Sequence, residues 1–225
     1  MTVITISKQL GSDGTRVASQ VAQALGYHVA DKDIMEAVLR QYGLVEFEEL
    51  DEPPPSFWLL FDWDLVLAAD MLDRTIKALA HHGNIVIIGR GGYASLRGLT
   101  DVLNVRIQAP RSLRIQRVME QRGISLAEAE VRVTREDRVQ AGFIEKAHHV
   151  QSDDVSVFDM VLDTGNITPD LATDLIVEAA QAIAQRPPGD APTAVKLEVS
   201  HTLSRVVCDV LGCEEISHGE LVAVA

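Results

Sequence analysis

Residues 7–16 read Ser-Lys-Gln-Leu-Gly-Ser-Asp-Gly-Thr-Arg, between the β-branched run Val3-Ile4-Thr5-Ile6 and a segment with Val17, Val21, Ala22 and Leu25 at helical spacing. A loop at that place aims successive backbone N–H groups and the positive end of a helix at one spot, which suits a phosphate. The pattern G-x-x-x-x-G-K-[ST] is absent, and a plain turn in which Gly11 and Gly14 supply positive φ is the competing reading. A second feature is Arg90, set in Gly89-Arg90-Gly91-Gly92 directly after Ile85-Val86-Ile87-Ile88. An arginine among glycines at the carboxyl end of a buried strand stands where α/β proteins bind ligands, and its fork matches phosphate. Third, residues 106–138 hold eight arginines (106, 111, 114, 117, 122, 132, 135 and 138), no lysine and five acids. Arginine in preference to lysine fits forked recognition of phosphate; a solvated helical face laced with i,i+4 pairs is the alternative.

That segment is +3 inside a chain of formal charge -13, which leaves -16 elsewhere. So acidic a surface gives no general attraction to nucleic acid or anionic lipid, and the expected partners are small anions held locally. With 225 residues, 47% of them hydrophobic, the chain can bury one substantial core and carry an appendage. The first residues lack a basic, long apolar leader, and no apolar run approaches the length of a membrane span. Cys208 and Cys213 are too few for a disulfide framework, and a cytoplasmic protein is expected.

The elements that must position these residues follow from periodicity. A strand at 2–6 leads through the loop into a helix stopped by Gly26, and an extended piece at 27–30 leads to Asp31. Asp33 and Glu36 read as a capping pair for a helix carrying Ile34, Val38 and Leu39. An acidic connection at 44–56 ends in three prolines, and a long helix spans about 64–82. Strands at 85–88, 102–107 and 160–162 alternate with helices at 111–122, 126–147 and 170–185, so the class is α/β with a mainly parallel sheet. Residues 1–185 form the main domain, 186–192 a linker, and 193–225 an appendage. In the appendage, 194–199 and 220–224 could be strands around a helix at 201–211, which leaves three arrangements open: packing on its own domain, pairing across a homodimer, or a mobile tail. His201, Cys208, Cys213 and His218 lack zinc-motif spacing, which favours buried thiols. Trp58 and Trp63 read as core or interface anchors.

Taken in order, Ile6–Arg16, Ala30-Asp31-Lys32-Asp33-Ile34, Val86–Gly92, Ala109-Pro110 with Arg114 and Arg117, Asp137-Arg138 and Phe158–Gly165 resemble the cytidylate kinase-like family. Its members are relatives of the nucleoside monophosphate kinases among the P-loop kinases, and the resemblance covers about residues 2–185. It implies a P-loop NTPase-type three-layer α/β/α fold with an Arg-rich helical lid. It also implies ATP and Mg²⁺ as cofactors and phosphoryl transfer to a nucleoside monophosphate, CMP or dCMP favoured. Gly11, Ser12, Asp13, Gly14 and Thr15 would cradle the ATP phosphates, with Thr15 on the Ser/Thr position that holds Mg²⁺. Gly14 stands where such kinases usually carry the loop lysine, so Lys8 or Arg16 would have to supply that cation. Arg90 and Asp31 would serve the acceptor, although Asp31 also reads as a helix N-cap. Arg114, Arg117, Arg135 and Arg138 would line the lid. No carboxylate follows the strand at 84–88, and Gln140 stands where the pattern has a further arginine, which Arg135 or Lys146 would have to replace. These departures leave two alternatives open: a nucleotide-binding regulatory protein with weak or no turnover, and a P-loop kinase acting on a non-nucleotide hydroxyl.

Overall fold

The computed structural model describes residues 1–42, 65–148, 150–151, 154–187 and 189–213. The acidic connection, Trp58, Trp63, His218 and the candidate strand at 220–224 lie outside them.

Five strands, β1 (Val3–Lys8), β2 (His28–Ala30), β3 (Ile85–Ile88), β4 (Val102–Gln108) and β5 (Met160–Asp163), form one sheet in the order β2-β3-β1-β4-β5. Every pairing is parallel, with Ile4 opposite Val86 on one side and Leu103 on the other. Side chains alternate across the pleat, and the sequence exploits both faces. Ile4, Ile6, Val86, Ile88, Val105 and Ile107 pack beneath α1 (Gly14–Leu25) and α7 (Pro169–Ala184). Val3, Ile85, Ile87 and Val102 pack on the other face, with α2 (Lys32–Gln41) and α3 (Leu65–His82). Two apolar faces, each covered by helices, make three layers. One polar pair survives inside the sheet: the Thr5 hydroxyl donates to Asn104 Oδ1 at 2.7 Å, between neighbours in the β1–β4 register.

A short α4 (Gly92–Ser95) follows β3, and α5 (Arg111–Arg122) and α6 (Leu126–His148) follow β4. Gly123, at φ 62°, closes α5, and Ser125 and Glu128 bond reciprocally to start α6. Ile115 and Val118 meet Ala129 and Val133, so the two helices share a small core of their own beside the main one.

Two local expectations are corrected. The cap of α2 is Asp31, whose Oδ1 accepts from the backbone N–H of Asp33 and Ile34 at 3.0 and 3.1 Å, whereas Glu36 pairs with Lys32 at 3.5 Å. Asp31 holds the extended backbone of a cap (φ -95°), while Asp33 already lies inside the helix. Residues 194–199 are a 3₁₀ turn (Ala194–Lys196) and a single extended stretch, not a strand. The Ala194 N–H bonds the Asp101 carboxylate at 2.7 Å, and Ala194, Leu197 and Val199 join the core under α3. From there α8 (His201–Leu211) adds Leu203, Val206 and Val207 to the same core. No helix among the described residues is long and apolar enough to cross a membrane.

Candidate active site

The carboxyl ends of β1, β2, β3 and β4 open into one cavity of about 660 Å³, roofed by residues 136–144 of α6. Lys8, Thr15, Asp31, Arg90 and Arg138, all singled out from the sequence, line it. They come from five separate places in the chain, brought together because parallel strands all end on one edge. Ser7, Gln9, Lys32, Tyr93, Arg106, Glu136, Asp137 and Gln140 add to the polar wall. Arg106 and Glu136 were missed as single residues. The usable signal for Arg106 was the one that pointed to Arg90: a charge at the carboxyl end of a buried strand. Its guanidinium lies 5.7 Å above the Phe158 ring, and Phe158 packs on Tyr93 with ring centroids 4.5 Å apart.

Lys8 reaches the cavity over Gly14. A Cβ built on Gly14 would lie 2.6 Å from Lys8 Cβ, so the lysine stem occupies the space that a side chain at the usual lysine position would need. The ammonium is therefore delivered from the strand end. Burial and the nearby Arg90 charge push the Lys8 pKa below the ordinary lysine value, with Glu136 partly opposing them. Arg90 is pushed down to about 10, mainly by burial, against the pull of Glu36, Glu136 and Asp33. It also stands at φ 56°, a left-handed conformation costing a non-glycine residue about 1–2 kcal/mol. Two desolvated, mutually repelling cations, one on strained backbone, form a receptor whose own charges are relieved by an anion.

Behind this wall the loop is stapled to α5. Ser12 is fully buried, and its hydroxyl donates to Gln9 O at 2.8 Å. Arg114, only 5% exposed, makes two parallel bonds to Asp137 at 2.9 and 3.0 Å and donates to the carbonyls of Ala109 and Leu10. Arg117 donates to the Thr164 hydroxyl and carbonyl and to Gly11 O, and pairs with Asp13 at 3.2 Å. Both arginines thus fasten the loop to the lid helix, and neither lines the cavity. Gly11, at φ 80°, would place a Cβ 2.5 Å from the Arg114 carbonyl oxygen. Gly11→Ala is expected to cost about 2 kcal/mol or more, because both the left-handed backbone and the clash with main chain must be relieved. Chemical unfolding, read beside the unmodified chain, checks it.

Gly11, Ser12, Asp13 and Gly14 form the loop itself and do not line the cavity. Gly14 and Thr15 open α1, whose N-terminus has no side-chain cap. Arg16 faces the outer surface, 58% exposed and paired with Asp170 at 2.9 Å. Arg135 and Lys146 are exposed on α6, outside the cavity lining. Gln140 lines the cavity. The oxygen donors along the wall, Thr15 and Asp31 among them, are hard, which fits Mg²⁺ held chiefly through phosphates and water.

A parallel five-stranded sheet with a glycine-containing loop after the central strand, and a cationic cleft roofed by α6, have the architecture of the P-loop kinases. Comparison with known proteins sharpens this. A profile of the cytidylate kinase-like family matches residues 3–166, and the chain belongs to that family. It is 27% identical over 194 residues to the cytidylate kinase of Halobacterium salinarum (84% of this chain, 95% of that one). It is 27% identical over 195 residues to that of Methanopyrus kandleri (82% and 95%). Among solved structures, an uncharacterized protein from Eubacterium ventriosum superposes with a TM-score of 0.65 at 22% identity, covering 80% of this chain and 98% of that one. A shikimate kinase from Bacteroides thetaiotaomicron superposes with a TM-score of 0.50 at 11% identity (82% and 99%), a likeness of fold. The chain is an enzyme of the nucleoside monophosphate kinase type.

Proposed function

We propose that this enzyme transfers the γ-phosphoryl group of ATP to a nucleoside monophosphate, with CMP or dCMP as the preferred acceptor. The observation that carries the reading is the pair of desolvated cations, Lys8 and Arg90, facing one cavity at the carboxyl edge of the sheet. The transferring group spreads charge over its oxygens with little covalent help required, so catalysis is positioning and neutralisation. Lys8 neutralises the donor phosphates, in the place of a loop lysine at position 14. Arg90 grips the acceptor phosphate with its fork. Arg138 closes the charge from the α6 side, and Asp31, with Oδ1 engaged in the cap, serves the acceptor or the metal's waters. Thr15 holds Mg²⁺, which when bound offsets phosphate charge. The names of the curated relatives support cytidine monophosphates as acceptors.

Coupled ADP release, run with each nucleoside monophosphate, tests the proposal: turnover with CMP or dCMP above the others is expected. Silence with every acceptor would remove it. One observation favours a weaker catalyst: Arg117 is committed to Thr164, Gly11 and Asp13. Mononucleotide binding that Arg90→Ala abolishes, with ADP release at background in the unmodified protein, would identify a regulatory nucleotide binder instead.

The lowered Lys8 pKa gives a signed pH dependence. Phosphate binding needs the protonated ammonium, so affinity declines as pH rises through the lowered value, earlier than for a lysine titrating near about 10.4. Lys8→Arg is expected to remove that part of the decline. Calorimetric titration with ATP from about pH 7 to about pH 10 reads both effects; superimposable profiles would contradict them.

A further inference from the structure

His82, Cys208 and Cys213 meet at the end of the sheet opposite the cavity, where α3 finishes before β3 and α8 finishes at the chain's tail. We propose that these three side chains form a structural Zn²⁺ site that clips the C-terminal helix to the core. Their donor atoms, one imidazole nitrogen and two thiol sulfurs, all lie within 4.8 Å of one another, and Cys213 Sγ is 3.1 Å from His82 Nε2. Ligands at roughly 2.0–2.3 Å around one tetrahedral ion are spaced similarly to one another, so closing on zinc requires only small side-chain shifts. The donor set is soft and borderline, which selects Zn²⁺ over the hard Mg²⁺ of the opposite edge. The described residues supply three ligands and leave the fourth tetrahedral position to a further donor.

The surroundings favour a cation. Gly212 closes α8 in a left-handed turn, and the Cys213 N–H bonds the Cys208 carbonyl at 3.0 Å, which brings the second cysteine back beside the first. His82 ends α3, so the negative ends of two helices converge on the cluster. Cys208 is buried, while His82 and Cys213 are partly exposed, so an ion can enter from the outside. The His28 ring, at the start of β2, meets His82 edge to face at 6.1 Å and limits its rotation. α8 has eleven residues and buries four, so a metal clip at its carboxyl end would add to a small packed face.

The sequence set the two cysteines beside His201 and His218, whose spacing favoured buried thiols over a metal. His201 is exposed at the other end of α8, seven residues before Cys208, or about 10 Å along the helix. The histidine that arrives lies 126 positions before Cys208, where no spacing rule reaches.

The test uses the full chain, reduced and stripped of metal, titrated with Zn²⁺ alone and with Co²⁺ as a spectroscopic substitute. One Zn²⁺ per chain, thiolate-to-cobalt charge-transfer absorption, and a rise in the unfolding midpoint with zinc are expected. Cys208→Ser could disturb the buried helix face, so the deciding variants are Cys213→Ser and His82→Gln, with helix content followed by circular dichroism. Each should weaken Zn²⁺ by more than the roughly 10–100-fold that loss of an outer partner costs, in a folded protein. The proposal is overturned by a folded chain that takes up no zinc, or by affinities that neither variant changes. A Cys208–Cys213 disulfide that persists in the purified protein under reducing buffer also overturns it. None of these readouts depends on kinase turnover.

Discussion

Lys8→Met is expected to lower kcat by roughly 10²–10³-fold, the cost of removing one preorganised donor to developing charge, and to raise the thermal unfolding midpoint at the same time. The second half follows from the sign of the pKa shift. The folded-state value lies below that of an unfolded lysine, so the protonated side chain costs stability at every pH below the folded value. That cost disappears only as pH rises from the folded towards the unfolded value. Methionine keeps an unbranched stem to pack over Gly14 and discards the buried charge beside Arg90. Steady-state kinetics and a thermal melt on the same preparation check the prediction. A Lys8→Met protein that loses activity and stability together would reduce Lys8 to a packing residue. Retained kcat would remove it from phosphate neutralisation. Opposed movements of the two quantities are the signature of a group held in an unfavourable state for function.

The largest loss of stability is expected at Arg114. Arg114→Met leaves Asp137 facing a site built for a cation and removes the donor shared by the Ala109 and Leu10 carbonyls. Breaking a buried pair from one side costs about 3–5 kcal/mol, and Asp137, about a third exposed, draws the figure to about 3. In a domain of this size that is a fall of about 6–12 °C in the unfolding midpoint. Because Arg114 also holds the loop through the Leu10 carbonyl, beside the bonds of Arg117 to Gly11 O and Asp13, ATP affinity should fall with it. A cycle with Asp137→Asn separates the pair from packing. The double variant should be less destabilised than the sum of the single ones, since the second change removes the stranded charge. Strict additivity would mean the two groups do not depend on each other.

These two predictions show how differently the arginines and lysines of one phosphate-directed sequence are used. Arg90 is nominated from local context and Lys8, Thr15, Asp31 and Arg138 from the family resemblance, and all line one cavity. Strand ends and glycine-flanked charges are local signals, and in a parallel sheet they converge by construction. Arg114 and Arg117 look identical to Arg135 and Arg138 in sequence, paired three apart on a helix. The fold separates them: Arg114 and Arg117 tie the loop to α5, and Arg135 faces outward. Arg16 follows the loop directly, yet it bonds Asp170, 154 positions away. Arg106, a charge at the carboxyl end of a buried strand, carried the same signal as Arg90, whereas nothing in the immediate neighbours of Glu136 marks it.

By itself, the sequence determined the five strands and the long helices of the main domain, the α/β class and the family. β-branched runs bury on both faces, helical spacing makes one apolar stripe, and the ordered motifs match a family profile over residues 3–166. Its net charge of -13 also sets the expectation that a bound anion is met locally. Only the tertiary structure decided the strand order, the delivery of a lysine from position 8 over Gly14, the division of the arginines between staples and cavity wall, and the meeting of His82 with two cysteines of the tail. Those outcomes depend on pairs separated by 23 residues for Arg114 and Asp137 and by 131 for His82 and Cys213. Propensity acts over a few neighbouring residues, while a hydrogen bond or an ion contact is made between whichever atoms packing brings within a few ångströms.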